Sequence, residues 1–504
     1  MDERLPFGLV LKRFRLAAGL THEALAERAS LGARTISDLE RGVSRAPRSD
    51  TLALLVEALD LTADQRVLLR AAARPHLDRM SGIASLASSS SHLPLALTSF
   101  VGRQQEVHAV HDLLFRDDTR LVTLTGPGGV GKTRLALQVA AQVIDAFPNG
   151  VFAVDLAPIS DPNSVCDAIA RVLESSSECH KSLPSLIAAF GEKRLLLLLD
   201  NFEHLLAAAP LVTDLLRGCR HLKVLNTSRA ALRLSGEQEF PVPTLPVPDP
   251  TRLPEVETLI DYAAVRLFVD RATRVQPNFA LTADNAMAVA AICARLDGLP
   301  LAVELAAARV RALPPPMLLE RLQTPKIGTL DLLTRGAQDA PPRQHTLRDT
   351  IAWSHDLLDE EERSLFRRLA VFSGGCTLEA AEVICNPSGE SMTVDAASVQ
   401  EKHFSEINVL AGLLALVDKS LVDQADGVDG TPRFRMLETV RAFAAERLVA
   451  SGEEATVRRV HAAYYLSLVK ATGALLFASE RKRALQAAEQ GNVQAALQWL
   501  VQYG

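Results

Sequence analysis

One stretch constrains this chain more than any other: LTGPGGVGKTRLALQ, from Leu124 to Gln138. RLVTLT (Arg120 to Thr125), a short β-rich apolar run, leads into it, and LALQVAAQVI continues from it with apolar residues at helical spacing. Strand, glycine loop and helix in that order predict an α/β unit whose loop cradles phosphates. The glycines let backbone N–H groups converge on a β-phosphate, and the helix N-terminus adds its partial positive charge. The candidate nucleotide contacts are Gly126, Pro127, Gly128, Gly129, Val130, Gly131, Lys132, Thr133 and Arg134. In this arrangement Lys132 neutralises β- and γ-oxygens of ATP, and Thr133 offers its hydroxyl to Mg²⁺.

A second buried strand, LLLLL (Leu195 to Leu199), ends in Asp200, which is expected to hold Mg²⁺ through water. The plain alternative is an Asp capping a core strand. A third strand, LKVLNTSR (Leu222 to Arg229), delivers Arg229 to the same edge, either to sense a γ-phosphate or to sit as a surface arginine at a strand end. The residue after Asp200 is Asn201, which does not act as a base, while Glu203 stands two residues on and can orient water. Lys132, Asp200, Glu203 and Arg229 are therefore the candidate catalytic set, and slow hydrolysis is the expectation.

From Phe7 to Arg74 the apolar residues recur in short helical segments, and LTHEALAERASLGARTISDLERG predicts an N-cap at Thr21, a break at Ser30 to Gly32 and a second short helix. This resembles the Cro and phage-repressor type of helix-turn-helix, with LERG (Leu39 to Gly42) closing the recognition helix. That family commonly has Gly where Ser30 stands and Ser where Gly32 stands; Gly at an N-cap costs only a few tenths of a kcal/mol, so the motif stands. Nine Lys/Arg against four Asp/Glu between Arg4 and Arg48 leave a local +5 in a chain of net charge -6. Phosphate contacts need such a patch. The geometry implied by the resemblance puts Ala33, Arg34, Thr35, Ser37 and Asp38 toward base edges, with Arg41, Arg45 and Arg48 flanking phosphates. One such unit reads half a site, so self-association is expected. The competing reading is a helical module that recruits a protein.

A chain of 504 residues implies three or four domains at about 100–200 residues each. With 48% apolar and 23% charged residues it has material for several cores. Six cysteines (166, 179, 219, 293, 376 and 385) lie far apart, which argues against a zinc cage or disulfide scaffold and for a reducing compartment. No apolar run approaches the roughly 18 residues that cross a bilayer, so no membrane partner and a cytoplasmic location are expected. The Ser-rich SGIASLASSSSHLPLAL before Leu97 reads as a tether.

From about Phe100 to Leu448 the chain resembles the nucleotide-binding module of STAND proteins, the NB-ARC switches. The likeness is carried by SFVGRQQEV (Ser99 to Val107), the phosphate loop, LLLLDNFEH, NTSR and LDGLPLAVELAAARV. By position it implies that Val101, Gly102, Arg103 and Pro300 touch adenine and that Arg229 contacts the γ-phosphate. TLRDTIAWSHDLLDEEERSLFRRLAVFSGG looks like the winged helix that follows in that family. That domain ends in FRMLETVRAFAAERL (Phe434 to Leu448), where Leu437 replaces the histidine that approaches the ADP β-phosphate, so the lock on ADP is looser or another residue supplies it. EQGNVQAALQWL resembles the first helices of a repeat array, of which the sequence contains about one unit.

The expected fold is multidomain: an all-α helix-turn-helix head (1–74), a linker (75–97), an α/β P-loop core (98–250), a helical subdomain (251–335), a winged helix (336–450) and the start of an α-helical repeat region (451–504). The expected function is a bacterial regulator that binds double-stranded DNA under an ATP/ADP switch, with Mg²⁺ and an unidentified signal ligand or protein. A productive ATPase and an NLR-like defence sensor remain as alternatives.

Overall fold

The computed structural model describes residues 11–12, 14–15, 18, 20–29, 31–40, 51, 55, 58–59, 93–94, 98–173, 182–249, 254–323, 329–333, 346–387, 406–427, 430–473 and 480–503. It divides into two compact units, 1–89 and 90–504.

In the first unit, α1 (His22–Arg28) and α2 (Ala33–Glu40) pack around Leu11, Leu25, Ala26, Ala29, Ile36, Leu39, Leu55 and Leu59. Thr21 caps α1 by accepting the Ala24 N–H at 3.2 Å. The turn between the helices is held by the Leu31 N–H donating to Ala26 O at 2.8 Å. Arg15 donates from Nε and Nη2 to the two oxygens of Glu40 at 2.6 and 2.9 Å, and both side chains are buried. That pair fixes the end of α2 against the rest of the head. Thr21→Ala removes the cap and is expected to cost the head about 1 kcal/mol, lowering its thermal transition without moving that of the second unit. Equal shifts in both transitions would contradict this.

The second unit is built on a five-stranded parallel sheet of order β2-β3-β4-β1-β5: β1 (Leu121–Thr125), β2 (Val151–Asp155), β3 (Leu195–Asp200), β4 (Leu222–Thr227) and β5 (Glu237–Pro241). The run of leucines in β3 is explained by burial on both faces, as a parallel sheet requires. Leu196 and Leu198 enter one core with Val122, Leu124 and Leu225, while Leu195, Leu197 and Leu199 enter the other with Phe152, Val154 and Val224. The edge strand β5 carries Gln238 and Glu239 into solvent, which discourages further strand pairing. The flanking helices are α3 (Gln104–Phe115), α4 (Lys132–Gln142), α5 (Val165–Val172), α6 (Leu183–Phe190) and α7 (Ala209–Gly218).

Next come α8 (Ala263–Val275), α9 (Ala283–Arg295), α10 (Pro300–Ala307) and α11 (Pro315–Gln323). After α12 (Leu347–Asp356) the winged-helix part follows with α13 (Glu360–Arg368), β6 (Cys376–Thr377), α14 (Leu378–Cys385), α15 (Val409–Asp418), β7 (Asp423–Asp426), β8 (Pro432–Arg435) and α16 (Glu438–Ser451). Its three strands pair antiparallel in the order β6-β8-β7. Asp359 and Glu362 form a capping box at α13, which sets the start of a helix whose acidic first turn the sequence displayed as DEEE.

Two further helices, α17 (Glu454–Gly473) and α18 (Glu480–Tyr503), pack on each other. They are seated on the winged-helix part by Asn492, which accepts the Ser373 N–H at 2.7 Å and donates to Gly375 O at 2.9 Å. A Cβ at Gly491 would lie 2.7 Å from Ser373 O, so the GN pair of EQGNVQAALQWL is what this contact needs. Cys166, Cys219, Cys293, Cys376 and Cys385 are buried and free, packed as small apolar side chains; Cys179 lies outside the described residues. No described helix is long and apolar enough to cross a membrane.

Candidate nucleotide site

The carboxyl ends of β1, β3 and β4 meet at one edge of the sheet, where ligands of parallel α/β sheets bind. The loop after β1 has Gly126 at φ 142°, Gly129 at 81° and Gly131 at 97°. It is also walled in. A Cβ at Gly128 would lie 2.6 Å from Thr350 Cγ2, and one at Gly129 would lie 2.9 Å from Leu301 Cβ. Only glycine leaves the backbone open there. Gly131 precedes α4 directly, so the amide end of that helix faces into the loop.

Lys132 is half-buried, with its ammonium turned into the loop, and donates to Gly126 O at 2.7 Å and Pro127 O at 3.2 Å. Burial holds its ammonium down to about 8; Glu203 and Asp200 pull it back up, and Arg229 pushes it lower. A buried cation answered by carbonyl dipoles is a receptor for an anion with more charge than they supply. Beside it, Asp200 accepts from Thr133 Oγ1 at 2.7 Å and from Thr227 Oγ1. Burial raises the Asp200 carboxyl, and the Thr227 and Thr133 hydroxyls oppose that. A hydroxyl and a carboxylate side by side are the hard oxygen donors that suit Mg²⁺. Asn201, in the left-handed region at φ 64°, donates from Nδ2 to Asp200 at 2.8 Å and to Asp155 at 3.3 Å, standing between two like charges.

Arg229 and Glu203 form a buried pair at 3.1 Å, with side chains 7% and 6% exposed. Arg229 also donates from Nη1 to Thr350 O of α12 at 3.1 Å, and its own carbonyl accepts from Ser420 Oγ in the turn after α15. The arginine at the end of β4 is thus gripped at its side chain by α12 and at its backbone by Ser420. A small cavity beside it is bordered by Pro127, Gly128, Leu299, Ile351 and Leu437, so Leu437 lies near the loop with an apolar side chain.

The segments around Gly102 and Pro300 reach adjacent loop residues, Val130 and Gly129. Arg103 donates from Nη2 to Val130 O and to Pro243 O, both at 2.8 Å, and the Leu301 N–H donates to Gly129 O at 3.2 Å. Arg103 Nη1 is buried with no partner among the described residues. Gly102 packs on Ala263, where a Cβ would lie 2.8 Å from the Ala263 Cβ, and Val101 is half-buried beside it. Pro300 opens α10. Arg134 donates to Thr98 O and Ser99 O at 3.0 and 2.7 Å and approaches Glu304, so it pins the strand-like entry segment. Sequence reasoning passed over Thr227, Thr350, Ser420 and Leu301. Thr227 stood inside NTSR and was legible; Thr350 acts through a backbone carbonyl, which no residue type reveals.

In the head, Arg34, Thr35, Ser37 and Asp38 lie on α2, with Thr35 exposed and Ser37 half-buried. Arg41, Arg45 and Arg48 lie outside the described residues.

Residues 6–69 match a helix-turn-helix domain family, 116–241 an AAA domain family and 358–449 a winged helix-turn-helix domain family. The uncharacterized protein Rv0894 of Mycobacterium tuberculosis is 40% identical over 359 residues, 71% of this chain and 83% of its own length. Rv0890c of the same organism, named as an HTH-type transcriptional regulator, is 42% identical over 383 residues, covering 75% of this chain and 40% of its own length. The regulatory protein AfsR of Streptomyces coelicolor is 27% identical over 510 residues, 95% of this chain and 44% of its own. The chain therefore spans about two fifths of the length of the first curated relatives it matches. Among solved structures, a STAND protein with a tetratricopeptide repeat sensor from Pyrococcus horikoshii covers 83% of this chain and 52% of its own at 16% identity, with a TM-score of 0.28.

Proposed function

Because the chain belongs to the family of the mycobacterial protein Rv0894, and joins a helix-turn-helix, an AAA domain and a winged helix, we propose that it is a transcription regulator whose DNA binding is set by an ATP/ADP switch. The observation that carries this reading is Arg229. One residue at the phosphate edge is bonded to Glu203, to Thr350 O of α12 and, through its own carbonyl, to Ser420 of the winged-helix part, so a change at that edge alters contacts that hold the parts together. In this reading Lys132 and the loop amides hold the phosphates, Thr133 and Asp200 hold Mg²⁺, which supplies charge neutralisation between β- and γ-phosphates, and the adenine lies toward Val101, Gly102, Arg103 and Pro300. Slow hydrolysis follows from the pairing of Glu203 with Arg229 and from Asn201 beside Asp200.

The head reads double-stranded DNA through α2, with Arg34, Thr35, Ser37 and Asp38 toward the bases and Arg41, Arg45 and Arg48 on phosphates. The boundaries 1–74, 75–97, 98–250, 251–335, 336–450 and 451–504 are proposed as the working parts. The protein acts in the cytoplasm and self-associates on activation, in response to a ligand or protein that the helical repeats help to sense. AfsR and Rv0890c, named as regulators, support this class.

Coupling between two binding events is reciprocal, so operator DNA must shift the ATP/ADP preference by the factor with which nucleotide shifts DNA affinity. The test selects genomic fragments by fluorescence anisotropy and then measures affinity for ATP and ADP with and without the bound fragment. Equal nucleotide affinities in both conditions would remove the switch. A chain that retains no DNA at low salt would move the protein-recruiting module to first place.

A further inference from the structure

Asp297 ends the turn between α9 and α10 in the left-handed region at φ 52°. The turn is pinned in place. The Gly298 N–H donates to Cys293 O at 3.0 Å, Gly298 O accepts the Leu245 N–H at 3.0 Å, and a Cβ at Gly298 would lie 2.1 Å from Leu245 O. From this fixed position the Asp297 side chain, 6% exposed, reaches the start of α16 in the winged-helix part. There Oδ2 accepts the Glu438 N–H at 2.6 Å.

The first N–H groups of a helix have no partner within it, and the acceptor normally comes from the residue just ahead. For α16 that residue is Leu437, which has no side-chain acceptor. The cap comes instead from a residue distant by 141 positions. It is also costly to keep charged: burial and the charge of Glu438 push the Asp297 carboxyl up to about 7, against the Glu438 and Thr439 amides and Arg435, which lies 3.6 Å away. A Ser at 437 would cap the helix locally without burying a carboxylate, so what the distant cap adds is a tie between two parts. The far side of the same turn leads into α10, whose Leu301 N–H donates to Gly129 O of the phosphate loop. One rigid turn therefore touches the loop at one end and the winged-helix part at the other.

We propose that Asp297 is the latch that holds the winged-helix part closed on the phosphate-loop unit, capping α16 in the closed form and releasing it when the switch opens. The latch deepens the nucleotide-switch reading and rests on it for what opening does. Asp297 is a positioning residue and needs no contact with nucleotide.

The test uses the full chain with Asp297→Ala and Asp297→Asn, and two measurements: hydrogen exchange at the Glu438 and Thr439 amides, and the release rate of ADP carrying a fluorescent ribose tag. Losing a charged acceptor shifts the closed-to-open ratio by about 10–100-fold. The alanine variant is expected to lose that much protection at these amides and to release tagged ADP at least about tenfold faster. The asparagine variant keeps an acceptor oxygen and sheds the buried charge, so it should stay within about threefold of the parent. Wild-type protection in the alanine variant, or an asparagine variant as exposed as the alanine one, overturns the latch. If the alanine variant does not fold, an asparagine variant with lost protection overturns it and one with kept protection supports it. Exposed amides with unchanged ADP release would uphold the latch and sink the nucleotide switch.

Discussion

Replacing Lys132 with alanine is expected to abolish tight binding of both ATP and ADP while leaving the sheet and the head folded. The ammonium is the cation that the glycine loop encloses, and its present partners are the carbonyls of Gly126 and Pro127. A small residue there leaves those carbonyls facing an anion with nothing between. Calorimetry measures the loss, and circular dichroism checks the fold. The same residue sets a pH dependence. Burial holds the ammonium down to about 8, and phosphates at the loop must raise that value, so binding takes up protons wherever Lys132 is partly neutral. Affinity should be flat at and below pH 7 and fall as the pH rises through 8 toward 9. Undiminished affinity in Lys132→Ala would remove the loop assignment, and pH-independent affinity up to 9 would show that the free lysine is fully charged.

Arg229→Ala is expected to have the largest effect on stability. It removes one member of a buried ion pair and leaves Glu203 inside with its charge only partly met by Lys132. Breaking a buried pair from one side typically costs about 3–5 kcal/mol, most of it from the stranded charge. It also deletes the bond to Thr350 O, so α12 loses a tie to the phosphate edge. Urea unfolding of the second unit measures the cost. The double variant Glu203→Ala/Arg229→Ala should recover part of it, because no stranded carboxylate remains. A loss below about 1 kcal/mol in Arg229→Ala, or a double variant less stable than the single one, would mean that the pair carries little of the closure.

Why some of the site was legible and some was not follows from the kind of contact involved. The phosphate loop was visible because its chemistry needs glycine at positive φ and a lysine at a set distance, which are demands on residue type. Asp200 was visible because a parallel strand buried on both faces writes itself as LLLLL and must stop at a polar residue. The cap at Thr21 in the head was visible because caps are local. The same locality made the GN pair near the C-terminus look like part of a helical repeat and nothing more, although it docks that helix on Ser373 and Gly375.

Sequence by itself determined the order of the parts, the α/β nature of the core and which side chains gather at the glycine loop, because periodicity, glycine geometry and capping act over a few residues. Tertiary structure alone decided the partners of those side chains. Arg229 was foreseen as a sensor of phosphate, but that it answers Glu203 and a backbone carbonyl of α12 depends on how distant segments fold together. Asp297 stands inside LDGLPLAVELAAARV with nothing in its neighbours to single it out, and its capping of α16 depends on segments 141 positions apart folding together. A hydrogen bond to a backbone amide or carbonyl places no demand on the partner's side chain, so nothing in the letters marks where it will form.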